Sequence, residues 1–297
     1  MQAEELLSGM SVLEVAPRIF MVTPGQEPGS AWQSPNIFLI GPPPFTMIDS
    51  GYDREHSLSA ITDALGDSTL ERVLLTHVHL DHAGGAWTIR EKTGSRVFGH
   101  PAEEPALARR FPGKKLDGMI EAGDRIEAGP YTLSALLMPG HARGHLLFWI
   151  EERGILFSGD LITGEGSTLV VPPEGNMKQY MDSLRRIAGL PVKLLLPGHG
   201  PIVSDAKKRI AGLIEHRELR EICILHCLEE GPLKLVELVQ AMYLGMIHPH
   251  LVGAAAGTAW AHLEKLIEEG VVRSEPENQA NPFNLTFSLA PGLRLPF

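Results

Sequence analysis

Cysteine is nearly missing: only Cys223 and Cys227 occur among 297 residues. They stand four apart in a helical pattern, which puts both on one helix face as reduced thiols rather than in a disulfide, and two thiols alone make a poor zinc site. No apolar run reaches the ~18 residues of a membrane-crossing helix, so no membrane partner is expected. The opening MQAEELLSGM lacks the basic-then-apolar order of an export signal, and a soluble cytoplasmic protein is expected. Positive charge is also short. With 26 Lys and Arg against 36 Asp and Glu, the net charge is −10, which weakens long-range attraction for polyanions and leaves only a local basic groove open. What is not lacking is apolar content: 43% hydrophobic residues are ample for a core, and disorder is not the expected state.

Short apolar runs alternate with amphipathic stretches up to about residue 204. RIFMV, NIFLIG and FTMID read as strands of a first sheet, with the turn Gly41-Pro-Pro-Pro between the last two. REHSLSAITDALG has helical periodicity and stops at Gly66, RVLLT reads as a buried strand, and helix follows DHAGG up to Gly94. RVFGH, YTLSALLMPGH, HLLFWIEE, GILFSGD and VKLLLPGHG continue as strands, with a helix near MKQYMDSLRRIAG before the last. Interleaved strands and helices predict sheets with helices packed outside them. Trp87 and Trp260 are expected in cores, while Trp32 in the loop GQEPGSAWQSPN is either an apolar lip over a site or a structural residue.

Chemistry gathers where these strands end. THVHLDHAGG, Thr76 to Gly85, packs His77, His79, Asp81 and His82 into six consecutive positions after RVLL. Asp49 ends FTMIDSG, His141 follows LLMPG, Asp160 ends ILFSGD and His199 follows LLLPG. A lone histidine at a strand end is ordinary, but five junctions that each deliver a His or Asp point to one centre. Neutral imidazoles and carboxylates suit a catalytic divalent ion that keeps a position open for water. His77 and His79, alternating on an extended loop, can aim at one ion; Asp81 and His82 then turn toward a second, with Gly84 and Gly85 expected to supply backbone freedom for the bend. His141 would complete the first set, His199 the second, and Asp160 would bridge. Seven ligands suit two ions ~3.5–4 Å apart sharing a hydroxide. Zinc is the first choice, with manganese or iron tolerated because the bridge is a carboxylate and not a thiolate.

This constellation, His77-x-His79-x-Asp81-His82 with His141 in PGHARGH, Asp160 in SGD and His199 in PGHG, resembles the metallo-β-lactamase superfamily over roughly residues 12 to 204. The resemblance implies an α+β fold, an αββα sandwich with a dinuclear site along one edge of its sheets. It also implies that Asp49 acts behind the ligands, holding a ligating loop in place. Asp81, ligating and orienting the nucleophile, and His145, donating a proton or tethering a ligand loop, are the candidate catalytic residues, with tethering favoured for His145. HARGH carries Ala142 where many relatives have Thr, so no hydroxyl contact is expected from that loop.

Residues 205–297 read as three helices and a two-strand wing from Val271 to Leu289, so the domains are expected at 1–204 (catalytic) and 205–297 (winged-helix-like). The tail makes the chain similar to the β-lactamase-like group that includes a mitochondrial single-strand endoribonuclease and thioesterase relatives. Three hydrolytic readings fit the same metals: cleavage of single-stranded RNA, thioester hydrolysis, and ester or lactone opening. The partner is then a small acyl substrate or single-stranded RNA, with a homodimer admissible. Duplex DNA is not expected. The tail carries nine Lys or Arg against twelve Asp or Glu, and the candidate recognition helix TAWAHLEKLIEE has Glu264, Glu268 and Glu269 against Lys265. The best local basic group is Lys207, Lys208 and Arg209, whose plainer reading is a solvated first helical turn. A glyoxalase II-like thioesterase shares all seven ligands but normally has a different helical tail. Antibiotic hydrolysis is disfavoured by Asp160 at the bridging position. A reading of another class, a non-catalytic metal-sensing DNA-binding regulator, needs fewer ligands than the chain carries.

Overall fold

Alternation of side chains along the strands sorts the apolar runs into layers. The structure is a computed structural model and describes residues 11–25, 34–243, 248, 251–276 and 281–292. Strands β1 (Ser11–Ala16), β2 (Ile19–Thr23), β3 (Ile37–Ile40), β4 (Phe45–Ile48), β5 (Leu70–Leu74), β6 (Arg96–Gly99) and β7 (Gly118–Met119) form one sheet in chain order. Pairing is antiparallel from β1 to β4 and parallel from β4 to β7. Parallel neighbours need crossovers, and helices supply them: α1 (Glu55–Leu65) between β4 and β5, then the short α2 (Leu80–Ala83) and α3 (Ala86–Thr93) before β6. A second sheet holds β8 (Arg125–Ala128), β9 (Tyr131–Leu137), β10 (Leu146–Ile150), β11 (Ile155–Gly159) and β12 (Leu194–Pro197), antiparallel except for the β11–β12 pair.

Within β3, Ile37 and Leu39 join Ala60, Ile61 and Leu65 of α1 and Trp87 and Ile89 of α3 in a helix-covered layer. Phe38 and Ile40 point the other way and meet Leu133, Phe148 and Phe157 of the second sheet, with the Phe38 and Phe157 rings 5.2 Å apart edge to face. Burial on both faces explains why β3 and β10 read as unbroken apolar runs and why β11 is apolar up to Ser158, whose buried hydroxyl donates to the Ile162 carbonyl. Each such aromatic or aliphatic side chain contributes about 1.5–3 kcal/mol relative to exposure. Trp87 is core as expected, its indole N–H donating to the Lys115 carbonyl.

The chain divides into two compact units: Met1–Met138, Arg143–Thr168 and Leu190–Lys207 in one, and Pro139–Ala142, Leu169–Gly189 and Lys208–Phe297 in the other. The second contains α5 (Met177–Ala188), most of α6 (Ala206–Glu229), α7 (Leu235–Met242), α8 (Val252–Glu268) and a small sheet in the order β13 (Leu233–Lys234), β15 (Thr286–Leu289), β14 (Val272–Glu275). The expected two-strand wing therefore has a third short strand, which two residues beside a Gly-Pro turn did not announce. Its core joins Ile224, Leu228, Leu238, Leu263 and Phe287, with Trp260 packed against it. Lys207 and Lys208 are exposed in the first turn of α6. Strands β1, β7 and β8 escaped the sequence reading: β1 exposes Val12 and Leu13, and β7 and β8 are short and mostly exposed or half-buried. Trp32 lies outside the described residues. Among the described residues no helix is long and apolar enough to cross a membrane.

Candidate metal centre

Asp49 stands at the end of β4 with φ 58°, a left-handed conformation that costs a non-glycine residue energy and persists only where its surroundings hold it. They do so here with four hydrogen bonds. Its Oδ1 accepts the Thr76 N–H at 2.8 Å, the Thr76 hydroxyl lies 2.8 Å from Oδ2, its backbone N–H donates to the Leu74 carbonyl, and His82 Nδ1 meets Oδ2 at 2.7 Å. Thr76 Oγ1 also lies 3.0 Å from His77 Nδ1. With its own proton directed to Asp49, that oxygen accepts from His77. One carboxylate thus orients two histidines, His82 directly and His77 through Thr76, and turns the Nε2 of each toward the centre.

The same device recurs at the other junctions. His141 Nδ1 is 2.7 Å from the Leu169 carbonyl and His199 Nδ1 is 3.2 Å from the Ser34 carbonyl. A carbonyl only accepts, so each Nδ1 carries a proton, which leaves Nε2 as the atom that could ligate an ion once it gives up any proton of its own. Donor atoms then fall into three groups, each within 4.8 Å: His77, His79 and His141; His77, His82 and Asp160; Asp81, His82 and His199. All seven candidate ligands enter these groups, and Asp49 stands behind them. The rings are crowded, with His77 centroids 4.4 Å from His79 and 4.3 Å from His82.

Electrostatics test whether cations suit this cluster. His82 Nε2 faces His199 Nε2 at 3.2 Å, with Asp160 Oδ1 3.2 Å from the first and Asp81 Oδ2 3.2 Å from the second. Burial opposes charge on His82, yet Asp160, Asp49 and Asp81 hold its pKa well above the ordinary 6.5, and His199 is raised against its own burial by Asp160 and Asp81. Burial would raise Asp81, but His82 and the hydrogen bond from His199 bring it down to about 2. Two buried carboxylates, Asp49 and Asp160, and the partly buried Asp81 around facing ring nitrogens demand positive charge at the centre, as protons or as metal ions. The donor set of imidazoles and carboxylates fits divalent ions of the zinc, manganese and iron type.

Local backbone explains the sharp bend after His79. Asp81 and His82 lie on the single turn of α2, which follows the His77-Val78-His79 segment directly and folds the His82 ring back to 4.3 Å from that of His77. Gly84 and Gly85 do not provide unusual backbone angles, contrary to expectation: their φ values are −52° and −75°, both right-handed. Close approach is what requires glycine. A Cβ on Gly84 would lie 2.3 Å from the Leu80 carbonyl oxygen and 2.8 Å from Asp53 N, and one on Gly85 2.6 Å from the Ser50 carbonyl oxygen. His145 is fully buried, its ring stacked 4.9 Å from His77, and its Nε2 accepts the Asp160 N–H at 3.1 Å. That nitrogen holds a backbone amide and carries no proton to donate. Thr76, Leu169 and Ser34 were not singled out in the sequence, because backbone carbonyls and a threonine beside a motif carry no distinguishing signal.

Residues 31–199 match the metallo-beta-lactamase superfamily. The chain belongs to that superfamily. Its members typically bind two divalent metal ions, and the His/Asp groups described above are able to hold them. A second match, to the beta-lactamase associated winged helix domain, covers residues 235–279. Among curated metallo-beta-lactamase relatives, a lactamase-like protein of Emericella nidulans is 31% identical over 91% of this chain and 87% of its own. An atrochrysone carboxyl ACP thioesterase of Aspergillus fumigatus is 28% identical over 72% of this chain and 66% of its own. A solved beta-lactamase domain protein from Burkholderia ambifaria aligns over 95% of this chain and 94% of its own with a TM-score of 0.81 at 24% identity, a likeness of fold.

Proposed function

We propose that this chain is a dinuclear metal-dependent hydrolase acting on an acyl thioester or related ester. The observation that carries the reading is the convergence of seven His and Asp side chains into three overlapping donor groups. His77, His79 and His141 would hold one ion, Asp81, His82 and His199 the other, with Asp160 between. When bound, two such ions supply an acidified water as nucleophile and polarise the attacked carbonyl oxygen. Zinc is the first choice of metal. Asp81, held as a carboxylate by His82 and His199, accepts hydrogen bonds and can orient the attacking water. Asp49, Thr76, Leu169 and Ser34 fix the histidine tautomers, so no reorganisation is needed at the moment of reaction.

A thiolate leaving group favours the thioester. A thiol of pKa near 8.5 departs with little help, which suits a site whose nearest candidate acid, His145, is occupied by the Asp160 amide. A thioesterase among the relatives supports the same class. Against RNA stands charge: the candidate recognition helix α8 exposes Glu264 and Glu268, and Lys265 is buried on Glu221 and Glu269. The unbridged Cys223 and Cys227 fit a reducing compartment such as the cytoplasm.

Zinc-loaded protein is to be assayed side by side on an acyl thioester, a lactone and a fluorescent single-stranded RNA, with Asp160→Ala as control. Turnover is expected on the thioester, falling more than about a hundredfold in the control. A hundredfold preference for RNA would replace the acyl reading with the endonuclease one, and no hydrolysis of any class by fully loaded protein would sink both.

A further inference from the structure

Glu103 enters none of the three donor groups, yet it touches two of the loops that carry them. It closes the turn Pro101–Glu103 that leads into α4 (Glu104–Arg110), and it is 2% exposed while its neighbour Glu104 is exposed. Its Oε2 accepts the Val78 N–H at 3.0 Å and its Oε1 accepts the Gly144 N–H at 2.7 Å. Val78 sits between His77 and His79, and Gly144 sits between His141 and His145. A carboxylate so deeply buried persists only where charge-assisted hydrogen bonds replace its water. The contact is also close: a Cβ on Gly144 would lie 2.8 Å from Glu103 Cγ and 3.0 Å from His100 Nδ1, so any larger residue would push the loop off the carboxylate.

We infer that Glu103 is a positioning residue for the metal centre, one carboxylate that staples the His77–His79 loop to the His141–His145 turn. The ligand loops then have two buried acidic supports: Asp49 behind His77 and His82, and Glu103 behind the backbone of the segments bearing His77, His79 and His141. Both carboxylate oxygens are used, so charge and shape count together. A glutamine would keep one acceptor and turn an NH2 toward the second backbone N–H.

This inference rests on the dinuclear reading above, and its test separates the two. Wild type, Glu103→Gln and Gly144→Ala are loaded with zinc and dialysed against graded chelator, with metal counted, and cobalt(II)-substituted samples are followed by visible absorption. Wild type should hold two equivalents. Both variants should release one equivalent at about 10–100-fold lower chelator concentration, with cobalt absorption changed for one ion and kept for the other. Glu103→Gln preserves side-chain shape and so the fold, which circular dichroism checks. Variants that hold both ions like wild type, with unchanged cobalt spectra and only a lower melting temperature, would reduce Glu103 to a packing residue. Wild type that takes up no metal would overturn the dinuclear reading itself.

Discussion

At the scale of single residues, the candidate ligands are held by groups outside the three donor groups. Asp49 adopts a left-handed backbone because Thr76 and His82 need both of its oxygens. Replacing it by Ala leaves the His82 Nδ1–H and the Thr76 N–H and hydroxyl without their acceptor. Unsatisfied buried donors cost about 1–3 kcal/mol each, so the urea midpoint should fall and metal affinity should drop about 10–100-fold. An Asp49→Ala protein with wild-type midpoint and metal content would refute this account. The candidate ligands are expected to behave differently: on the proposed dinuclear reading Asp81→Ala or His199→Ala should lose one metal equivalent and nearly all turnover, measured by metal analysis beside the hydrolysis assay. Full activity in either would end the dinuclear assignment.

Helices α6 and α8 meet through a buried polar group in which sequence spacing gave no hint of contact. His262 Nδ1 is 3.1 Å from Glu221 Oε1, and Lys265 Nζ donates to Glu221 at 2.8 Å and Glu269 at 3.0 Å. Burial holds His262 below its ordinary 6.5. Burial would raise Glu221, but His262 and Lys265 keep it below 4.5, while Lys265 is raised above 10.5 by Glu221 and Glu269 against its own burial. Below about pH 6.5 the unfolded chain gains a proton on His262 that the folded chain resists, and below about pH 4.5 the same holds for Glu221. Stability of this element pair should therefore be highest from about pH 7 to 10 and fall with acid. The urea midpoint is expected to be lower at pH 5 than at pH 7.5, and His262→Gln should shrink the difference. A wild-type midpoint that stays level or rises on acidification would contradict the sign.

For the whole molecule, the charge balance of −10 and a helix α8 whose lysine is buried on carboxylates predict no retarded band with duplex DNA at micromolar protein and low salt. Binding there, with no hydrolysis, would favour the regulator. Much of the architecture was legible in the chain, because runs buried on both faces, such as β3 and β10, must be apolar throughout, and a metal centre needs particular donor types, here at strand ends. The ligands, their order and the winged tail follow from such local demands. Edge strands β1, β7 and β8 were not legible, since half-exposed residues carry a weak pattern. Nor was Glu103, which in PAEEP looks like any acid in a first helical turn, or the true reason for Gly84 and Gly85. The sequence alone determined which His and Asp side chains are candidate ligands and that they belong to a metallo-beta-lactamase superfamily pattern. Only the tertiary structure decided which nitrogen His82 and His199 turn to the centre, and which buried carboxylates hold the loops, because those contacts join residues 25 to 165 positions apart.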